Sequence, residues 1–515
     1  MTIFLWVVGA VVLLLVLVTI YDLTQKKHAI LRNFPVVGHF RYLLESVGPE
    51  LRQYIVTNND EERPFSRDQR SWIYASAKKQ NNYFGFGTDN DVELAPNYLI
   101  IKPSPFPTRE PLAGDDDYDP KHPIKCAKIL GGARGRKKAF RPESVFFISA
   151  MSFGSLSAAA VEALNRGTAI AGGLHNSGEG GVSPYHDHGG DLIWQLGTGY
   201  FGARDEEGNF SMEKLVEKVE RFAIRAIEIK LSQGAKPGRG GVLPGAKVTA
   251  EIAEIRGVPQ GKDVISPSSH SAFSNVDEML DFVESIADAT GLPVGIKSAV
   301  GQIGFWEELA REMARGERGV DFINIDGGEG GTGAAPLVFA DHVALPFKVG
   351  FARVYQAFER QGLSDDVVFM GAGRLGFPQR ALFAFAMGAD MVGLAREAML
   401  SIGCIQAQRC HTGHCPAGVA TQSKWLMRGL DPTDKSARLA NYLITLRKEV
   451  MWLTRAVGQS HPSQVTLEDF EILDESFQAH SPRELFGYGR AKVEIEVDDA
   501  KQPAPKPVVE KVGAE

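Results

Sequence analysis

Eight short apolar runs alternate with helical stretches across the middle of this chain, and this alternation constrains its fold more than any other feature. Each run is short and apolar enough to be buried on both faces, as parallel strands covered by helices are. The runs occupy residues 145–151, 172–177, 226–232, 263–268, 293–299, 321–327, 367–373 and 390–396. Eight such strands predict an α/β fold of the closed (β/α)8 TIM barrel type, with an open doubly wound sheet as the alternative.

The N-terminus carries a long apolar segment. Residues 3–21 contain no charged side chain, and as a helix rising ~1.5 Å per residue they would nearly cross the ~30 Å hydrocarbon core of a bilayer. A cleavable signal peptide is the alternative, but it needs a basic residue before the apolar segment and a small-residue cleavage site after it. Lys26, Lys27 and Arg32 follow the segment. The positive-inside rule therefore predicts a single-pass membrane protein whose body lies in the cytoplasm.

These features divide the chain into five predicted parts. They are a transmembrane anchor (1–25), a small helical pre-barrel region (26–140), the barrel (141–425), a C-terminal helical extension (426–498) and a disordered tail (499–515). The tail is rich in Pro, Lys and Glu and has few large apolar groups, which is typical of disorder. The formal net charge of −7 comes from well-mixed charges without a basic stripe, so no nucleic-acid partner is expected.

Three of the four cysteines lie within the stretch CIQAQRCHTGHC, which begins at Cys404. Four cysteines do not make a disulfide framework, and such a cluster indicates a metal or reactive-thiol site in a reducing compartment. Zinc held by three cysteines with His411 or His414 is one hypothesis for this stretch. Cys126 has no cysteine near it in the sequence, so we interpret it as a core residue.

Glycine-rich stretches follow several of the predicted strands: MSFGSLS, NSGEGG, QGAKPGRGG, GGEGGTGAAP and GAGRLG. Glycine lets the backbone approach a ligand closely, and the freed N–H groups can bind a phosphate or the edge of a flavin ring. Because strand ends meet at one mouth of a barrel, these loops predict a cofactor site there. GAGRLG also matches the dinucleotide fingerprint, with Arg396 in place of a 2′-phosphate partner. The next predicted strand follows GAGRLG too closely for a dinucleotide-binding fold, however. This short spacing favours a phosphate-binding loop of the barrel.

Taken in order, MSFGSLS, NSGEGG, EIKLSQGAKPGRGGVLPG, ISPSSH, IDGGEGGTGAAP and CHTGHCPAGVATQ resemble the FMN-binding synthase barrel of the glutamate synthase family. The likeness extends over roughly residues 80–425. It implies an FMN-dependent oxidoreductase that reduces 2-iminoglutarate, formed from 2-oxoglutarate and ammonia, to L-glutamate. It also implies that Cys404, Cys410 and Cys415 ligate a 3Fe-4S cluster. Three thiolates can complete three irons, whereas a four-iron cluster normally takes four.

The resemblance further implies which residues contact the flavin. Ser152 would lie at the flavin after the first strand, and Asn176 and Gln195 would lie close to the ring. Lys297 would lie near the N1–C2=O edge, where a cation stabilises the anionic reduced flavin. The loops expected to hold the ribityl chain and phosphate contribute Asp326, Gly327, Gly328, Gly371, Gly373 and Gly393.

A dicarboxylate such as 2-oxoglutarate needs cations in its site. Lys230, Lys236 and Arg256 match family positions that bind the substrate carboxylates through charge-assisted hydrogen bonds. Glu179 matches a position where a carboxylate faces the reacting centre. Arg256 lies in the helix-like stretch AEIAEIR, for which an ordinary surface charge is the alternative.

The sequence departs from the family at positions that bear on the substrate. Arg239 replaces an acidic residue and Val242 replaces an amide, since the family reads KPGEGGQLPG where this chain has KPGRGGVLPG. Loss of such a hydrogen bond is worth about 0.5–1.5 kcal/mol, which is enough to change a keto-acid preference. Tyr200 replaces an arginine of the family, and the loop around His270 reads SPSSHSAFS in place of a PPPHHDIYS-type loop.

Two further hypotheses therefore stand beside glutamate synthesis. One is a related barrel enzyme acting on another amine or keto acid, such as an N-methylglutamate synthase that uses methylamine and glutamate. The other is a non-catalytic redox subunit of a membrane complex. Because neither an amidotransferase nor an NADPH domain is recognisable in the sequence, free ammonia or a separate glutaminase is expected. The electron donor is expected to be external, such as ferredoxin or a flavoprotein subunit.

Overall fold

A closed barrel of eight parallel strands forms the centre of the protein. The computed structural model describes residues 1–116 and 118–489. The barrel strands are β1 (Phe146–Ile148), β2 (Leu174–Asn176), β3 (Asp191–Leu196), β4 (Ile224–Lys230), β5 (Val294–Ser298), β6 (Phe322–Asp326), β7 (Val368–Ala372) and β8 (Met391–Leu394). Each strand pairs with the next, and β8 closes on β1 where Val392 lies opposite Phe146. The predicted (β/α)8 barrel is confirmed, and the open sheet is not observed.

One predicted strand was wrong and one barrel strand was missed. Within 263–268, Val264–Ile265 pairs antiparallel with Val242–Leu243 in a two-stranded sheet outside the barrel. Ile265 is exposed there, and Pro267 limits further pairing. The missed strand is β3, which follows β2 after only the short 3-10 helix Pro184–His186. A search for strands separated by helices passes over such a strand.

Helices cover the outside of the barrel. In chain order they are Ala158–Ala171 after β1, Met212–Arg221 after β3, Ala250–Arg256 and Val276–Thr290 after β4, Gly304–Ala314 after β5, Leu337–His342 and Phe347–Glu359 after β6, Pro378–Ala386 after β7 and Arg396–Ser401 after β8. The first of these helices is capped by Ser157, whose side chain accepts a hydrogen bond from the Ala160 amide. Such a cap satisfies a backbone donor that the helix itself leaves free.

The segments on either side of the barrel fold back onto it. The N-terminal helices are Thr2–Thr24, Ala29–Asn33, Gly38–Leu51 and Arg67–Ala77, with a π-helical turn at Arg52–Val56. The C-terminal helices are Lys424–Met427, Pro432–Ala456 and Pro482–Leu485. A three-stranded sheet joins the two ends, because Tyr98–Ile101 pairs with Phe470–Leu473, which pairs with Ala479–His480.

These flanking segments differ in part from their predicted character. The helical part of the pre-barrel region ends at Ala77, and the C-terminal extension contains strands as well as helices. The predicted tail at 499–515 lies outside the described residues. Helix Thr2–Thr24 is long and apolar enough to cross a membrane. The other described residues do not bury its most apolar part.

Candidate active site

A cavity of about 510 Å³ lies at the mouth of the barrel, where the carboxyl ends of the strands meet. This volume is within the usual range for a cofactor or substrate pocket. The residues of the predicted site that line it are Ser152, Glu179, Gln195, Lys230, Lys236, Lys297, Cys404 and Cys410. The structure therefore brings residues from five barrel strands or their loops together with two cysteines of the cysteine-rich stretch.

A compact group of charged side chains occupies one side of this mouth. Lys230 Nζ lies 2.8 Å from Glu179 Oε1 and 3.1 Å from the side-chain oxygen of Gln233, which accepts its hydrogen bond. Burial alone would raise the pKa of Glu179, but Lys230, Lys236 and Arg256 together lower it to about 2. Glu179 is therefore ionised at neutral pH. Burial lowers the pKa of Lys236, against the opposing effect of Glu179.

Arg256 is a buried member of this group, so the alternative of a surface charge does not hold. Its guanidinium donates to the Phe153 carbonyl at 2.9 Å and to Ser152 Oγ at 3.4 Å. Its Nε finds no hydrogen-bond partner within the described part of the chain. Burial lowers the pKa of Arg256 to about 10, partly offset by Glu179. A side chain at Gly180 would collide with this guanidinium, which explains a glycine at that position.

A buried carboxylate inside the barrel holds two of the predicted flavin residues. Glu228 is fully buried. Asn176 Nδ2 donates to it at 2.8 Å, Gln195 Nε2 at 2.6 Å and Asn324 Nδ2 at 2.7 Å. A carboxylate only accepts hydrogen bonds, so the nitrogen end of each of these amides must face Glu228. Gln195 reaches the cavity, whereas Asn176 lies below it.

Lys297 lies at the cavity on β5 and is almost completely buried. Its Nζ is 3.7 Å from Asp326 Oδ2, and the same carboxylate oxygen accepts a hydrogen bond from the Gly234 amide at 2.9 Å. Asp326 thus ties the loop after β4 to β6 and supplies the counter-charge for Lys297. The head of Lys297 is therefore held inside the barrel mouth and does not extend into solvent.

The cysteine-rich stretch forms a loop after the last barrel helix. Burial is the main cause that raises the pKa of Cys404 to about 12, and the neighbouring Cys410 and Cys415 thiols contribute to the same rise. Tyr74 donates its hydroxyl to the Cys404 carbonyl at 2.7 Å, and Lys247 donates to the Cys410 carbonyl at 2.8 Å. The three thiols are therefore neighbours in a loop that two polar side chains hold in place.

Comparison with known proteins identifies the family of this chain. The conserved region of glutamate synthase matches residues 127–460. The chain belongs to the glutamate synthase family. It is 40% identical over 497 residues to the glutamate synthase large subunit-like protein YerD of Bacillus subtilis, covering 90% of this chain and 94% of that protein. It is 35% identical over 379 residues to an archaeal glutamate synthase (NADPH) of Methanocaldococcus jannaschii, covering 70% of each.

Membership of the glutamate synthase family confirms the predicted family and the prediction of an oxidoreductase. A third relative, an archaeal-type glutamate synthase (NADPH) of Thermotoga neapolitana, is 35% identical over 314 residues. That match covers 60% of this chain and 58% of the relative.

Three arginines near the mouth would suit the phosphate group of FMN. Arg374, Arg380 and Arg396 cluster beside the glycine loop of β7, and burial lowers the pKa of Arg374 to about 10 with help from the other two cations. Arg374 Nε has no hydrogen-bond partner in the described residues. A partly buried group of three cations with an unpaired donor suits a phosphate. From the sequence only Arg396 is a candidate, as a dinucleotide contact, although GAGRLG itself contains Arg374.

Several glycines of the loops predicted to hold the ribityl chain and phosphate already contact other parts of the protein. Gly327 donates its amide to the Ala372 carbonyl at 2.8 Å, and Gly328 donates to the Leu345 carbonyl at 2.9 Å. Phenylalanine rings occupy the space that a side chain at Gly371 or Gly393 would need. Gly373 has φ +144°, a conformation that requires glycine. Gly373 is therefore the predicted glycine whose backbone conformation most clearly calls for that residue.

The three cysteines are not arranged around a single metal ion. Among the described residues, no group of three or more His, Cys, Asp or Glu side chains is spaced to hold one metal ion. Tetrahedral zinc needs its ligands to converge on one point at about 2.0–2.3 Å. In an iron–sulfur cluster each cysteine binds a different iron, so the sulfurs can lie farther apart. Cys126 is buried in the barrel core, as predicted.

Tyr200, which departs from the family, contacts His270 in a loop whose other residues largely depart from it. His270 donates through Nε2 to the Lys230 carbonyl at 2.9 Å and accepts at Nδ1 from the Tyr200 hydroxyl at 3.0 Å. The pair therefore supports the strand end that carries a substrate lysine. Val242 lines a narrow cleft with Glu179, Lys236 and Arg256, whereas the Arg239 guanidinium lies over the Phe339 ring at 5.6 Å.

Proposed function

We propose that this protein is an FMN- and iron–sulfur-dependent oxidoreductase that reduces 2-iminoglutarate, formed from 2-oxoglutarate and ammonia, to L-glutamate. The observation that carries the proposal is the single cavity that joins the flavin, substrate and cysteine residues. Gln195, Lys230 and Lys297 line it together with Cys404 and Cys410. When bound, FMN would supply the hydride to the imine carbon, and a 3Fe-4S cluster would supply the electrons that reduce the flavin again.

The charged group at the mouth would bind and orient the substrate. Lys230, Lys236 and Arg256 give three positive charges against the one negative charge of Glu179. This excess suits a dicarboxylate, whose two ends would receive charge-assisted hydrogen bonds. A substrate carboxylate would compete with Glu179 for Lys230, since the two lie in direct contact. Much of the rate would then come from holding the imine carbon in position.

The flavin would be held from two sides. Lys297 would lie at the ring and the arginine cluster would bind the phosphate. Ser152 at the mouth donates its hydroxyl to Ser155 Oγ at 3.1 Å and accepts from Arg256. It would therefore connect the substrate group to the flavin edge. Cys404 and Cys410 line the same cavity, which would keep the transfer of electrons short.

The remaining partners belong to the same proposal. Ammonia would come from solution or from a separate glutaminase, and electrons would come from ferredoxin or a flavoprotein subunit. Helix Thr2–Thr24 has the length and composition of a membrane span, and the lysines that follow it favour a cytoplasmic body. We therefore include a single-pass anchor in the proposal.

A second candidate function rests on Val242. Val242 places an apolar side chain in the cleft beside Lys236 and Arg256. Such a side chain would suit a methylated amine better than it would suit ammonia. An N-methylglutamate synthase-like activity would then use the same barrel and the same cations.

The test is an anaerobic half-reaction. The purified protein is reduced with dithionite, and flavin absorbance is followed after addition of 2-oxoglutarate, ammonium or both. Rapid reoxidation that requires both additions, with L-glutamate as product, supports glutamate synthesis. Reoxidation faster with methylammonium than with ammonium favours the second candidate. Lys236→Met should abolish the response, while Lys262→Met, on an exposed loop, should leave it unchanged. No reoxidation under any condition would refute both functions and favour a non-catalytic redox subunit.

A further inference from the structure

Helix Gly38–Leu51 exposes an apolar stripe. The stripe consists of Phe40, Leu43, Leu44, Val47 and Leu51, which are 39 to 62% exposed. Their spacing places them on one face of a helix. The opposite face carries Tyr42, Glu45 and Ser46, and Arg41 pairs with Glu45 at 2.9 Å. The helix is thus amphipathic with its apolar side turned outward, which marks a contact surface.

The start of this helix is fastened to the end of the apolar helix Thr2–Thr24. Asp22 is fully buried and accepts hydrogen bonds from the Val36 amide and from His39 Nε2, both at 2.9 Å. The Tyr42 ring packs edge-on against His28 at 5.4 Å. The most apolar part of Thr2–Thr24 is not buried by any other described residue. The two helices therefore share a junction without packing along each other, and the stripe stays uncovered.

The other end of the helix is fastened to the cysteine loop. Arg409 pairs with Glu50 at 3.0 Å, and Gln53 donates to the Ile405 carbonyl at 3.0 Å. Fourteen residues at ~1.5 Å each make the helix about 21 Å long. It therefore acts as a strut of fixed length between the apolar helix and the loop that carries the three cysteines.

We propose that helix Gly38–Leu51 lies on the surface of the bilayer that Thr2–Thr24 crosses, with the stripe at the boundary of headgroups and acyl chains, and so holds the cysteine loop beside the membrane. This inference rests on the proposed anchor. A lipid surface is favoured over a protein partner because the stripe is joined through Asp22 to an uncovered apolar helix, and the exposed Phe34 and Val37 lie between the two in the sequence. Cations also border it, since Lys26 and Lys27 precede the helix and Arg52 follows it, and anionic headgroups attract such residues.

The orientation has a consequence for the electron donor. A donor that reaches Cys404 or Cys410 from outside must approach a loop that is attached to the membrane-surface helix through Glu50 and Gln53. The donor would therefore meet the protein at the membrane surface rather than on the side of the barrel that faces away from the bilayer.

The test uses the full chain in nanodiscs of phosphatidylcholine and phosphatidylglycerol. The photocrosslinker p-benzoylphenylalanine replaces Leu44 on the stripe or Ser46 on the polar face, about 200° away around the same helix. A third variant carries it at Leu13 within the apolar helix, and lipid adducts are measured by mass spectrometry of the mapped peptides. All three positions are exposed, so the substitutions should not disturb folding.

We expect lipid adducts at Leu13 and Leu44 that are at least ten times as abundant as those at Ser46. Adducts at Leu13 with no excess at Leu44 over Ser46 would overturn the inference and leave the anchor standing. Crosslinks from Leu44 to protein, whether a second copy or another chain, would overturn it in favour of a protein interface. The absence of lipid adducts at Leu13 would overturn the anchor, and the inference with it.

Discussion

The carboxylate of Glu228 is predicted to organise the barrel interior beneath the flavin site. Replacing it by alanine leaves three buried amide donors without their acceptor. At ~1–3 kcal/mol for each unpaired group, the cost in unfolding free energy is ~3–9 kcal/mol. Glu228→Gln should cost only ~1–2 kcal/mol, because its remaining oxygen can accept from Asn176 and Gln195. Its new amide can donate to Asn324 Oδ1, which has no partner among the described residues, once the Asn324 amide rotates.

The assay combines urea unfolding with titration of FMN into the apoprotein. Asp191→Asn is the matched control, since it makes the same acid-to-amide change at the half-exposed start of β3, where little change is expected. We expect unfolding free energy to fall in the order control, Glu228→Gln, Glu228→Ala. FMN affinity should fall in the same order, because Gln195 loses its fixed orientation. Equal stability of the two Glu228 variants would refute the argument from unpaired donors.

Four further predictions concern the site itself. Lys297→Met should make the two-electron flavin potential more negative by roughly 30 mV for each ~1.4 kcal/mol of lost stabilisation, and an unchanged potential in dye titrations would place Lys297 away from the ring. Cys410→Ser should lower the iron content without lowering the FMN content, so equal iron in the variant and the parent would exclude it as a ligand. Burial lowers the pKa of Lys236 and brings that of Arg256 to about 10, so the KM for 2-oxoglutarate should rise as the pH is raised toward 10. A flat profile would contradict this. Val242→Gln should lower that KM about two- to tenfold if the amide contact is restored, and a raised KM would favour the methylated amine.

Much of the fold was predictable because its evidence is local. Strands such as β7 and β8 are continuous apolar runs between helical stretches, and the cysteine spacing is visible within a dozen residues. The strand β3 could not be found in this way, because it begins with Asp191 and follows β2 without an intervening α-helix. Its assignment depends on pairing with both neighbours, which the alternation of strands and helices does not reveal.

The site was predictable where a side chain lies at a strand end, as with Lys230 and Lys297. Glu228 was missed because its role depends on amides from three other strands, and a buried acid in an apolar run gives no local sign of them. Even so, its position two residues before Lys230 places both side chains on the same side of β4. The neighbourhood of Arg374 likewise depends on tertiary contacts, since Arg396 and Arg63 approach it from other elements of the fold.

The most direct test of the central claim is to follow flavin and cluster together in one anaerobic experiment. The purified holoprotein is assayed for FMN and iron, reduced with dithionite and mixed with 2-oxoglutarate and ammonium, while flavin absorbance and the electron paramagnetic resonance of the cluster are recorded on frozen time points. We predict one FMN and three irons per chain, with both centres reoxidised in the same phase. Flavin that reoxidises while the iron centre stays reduced, or a protein that binds FMN without iron, would contradict the account.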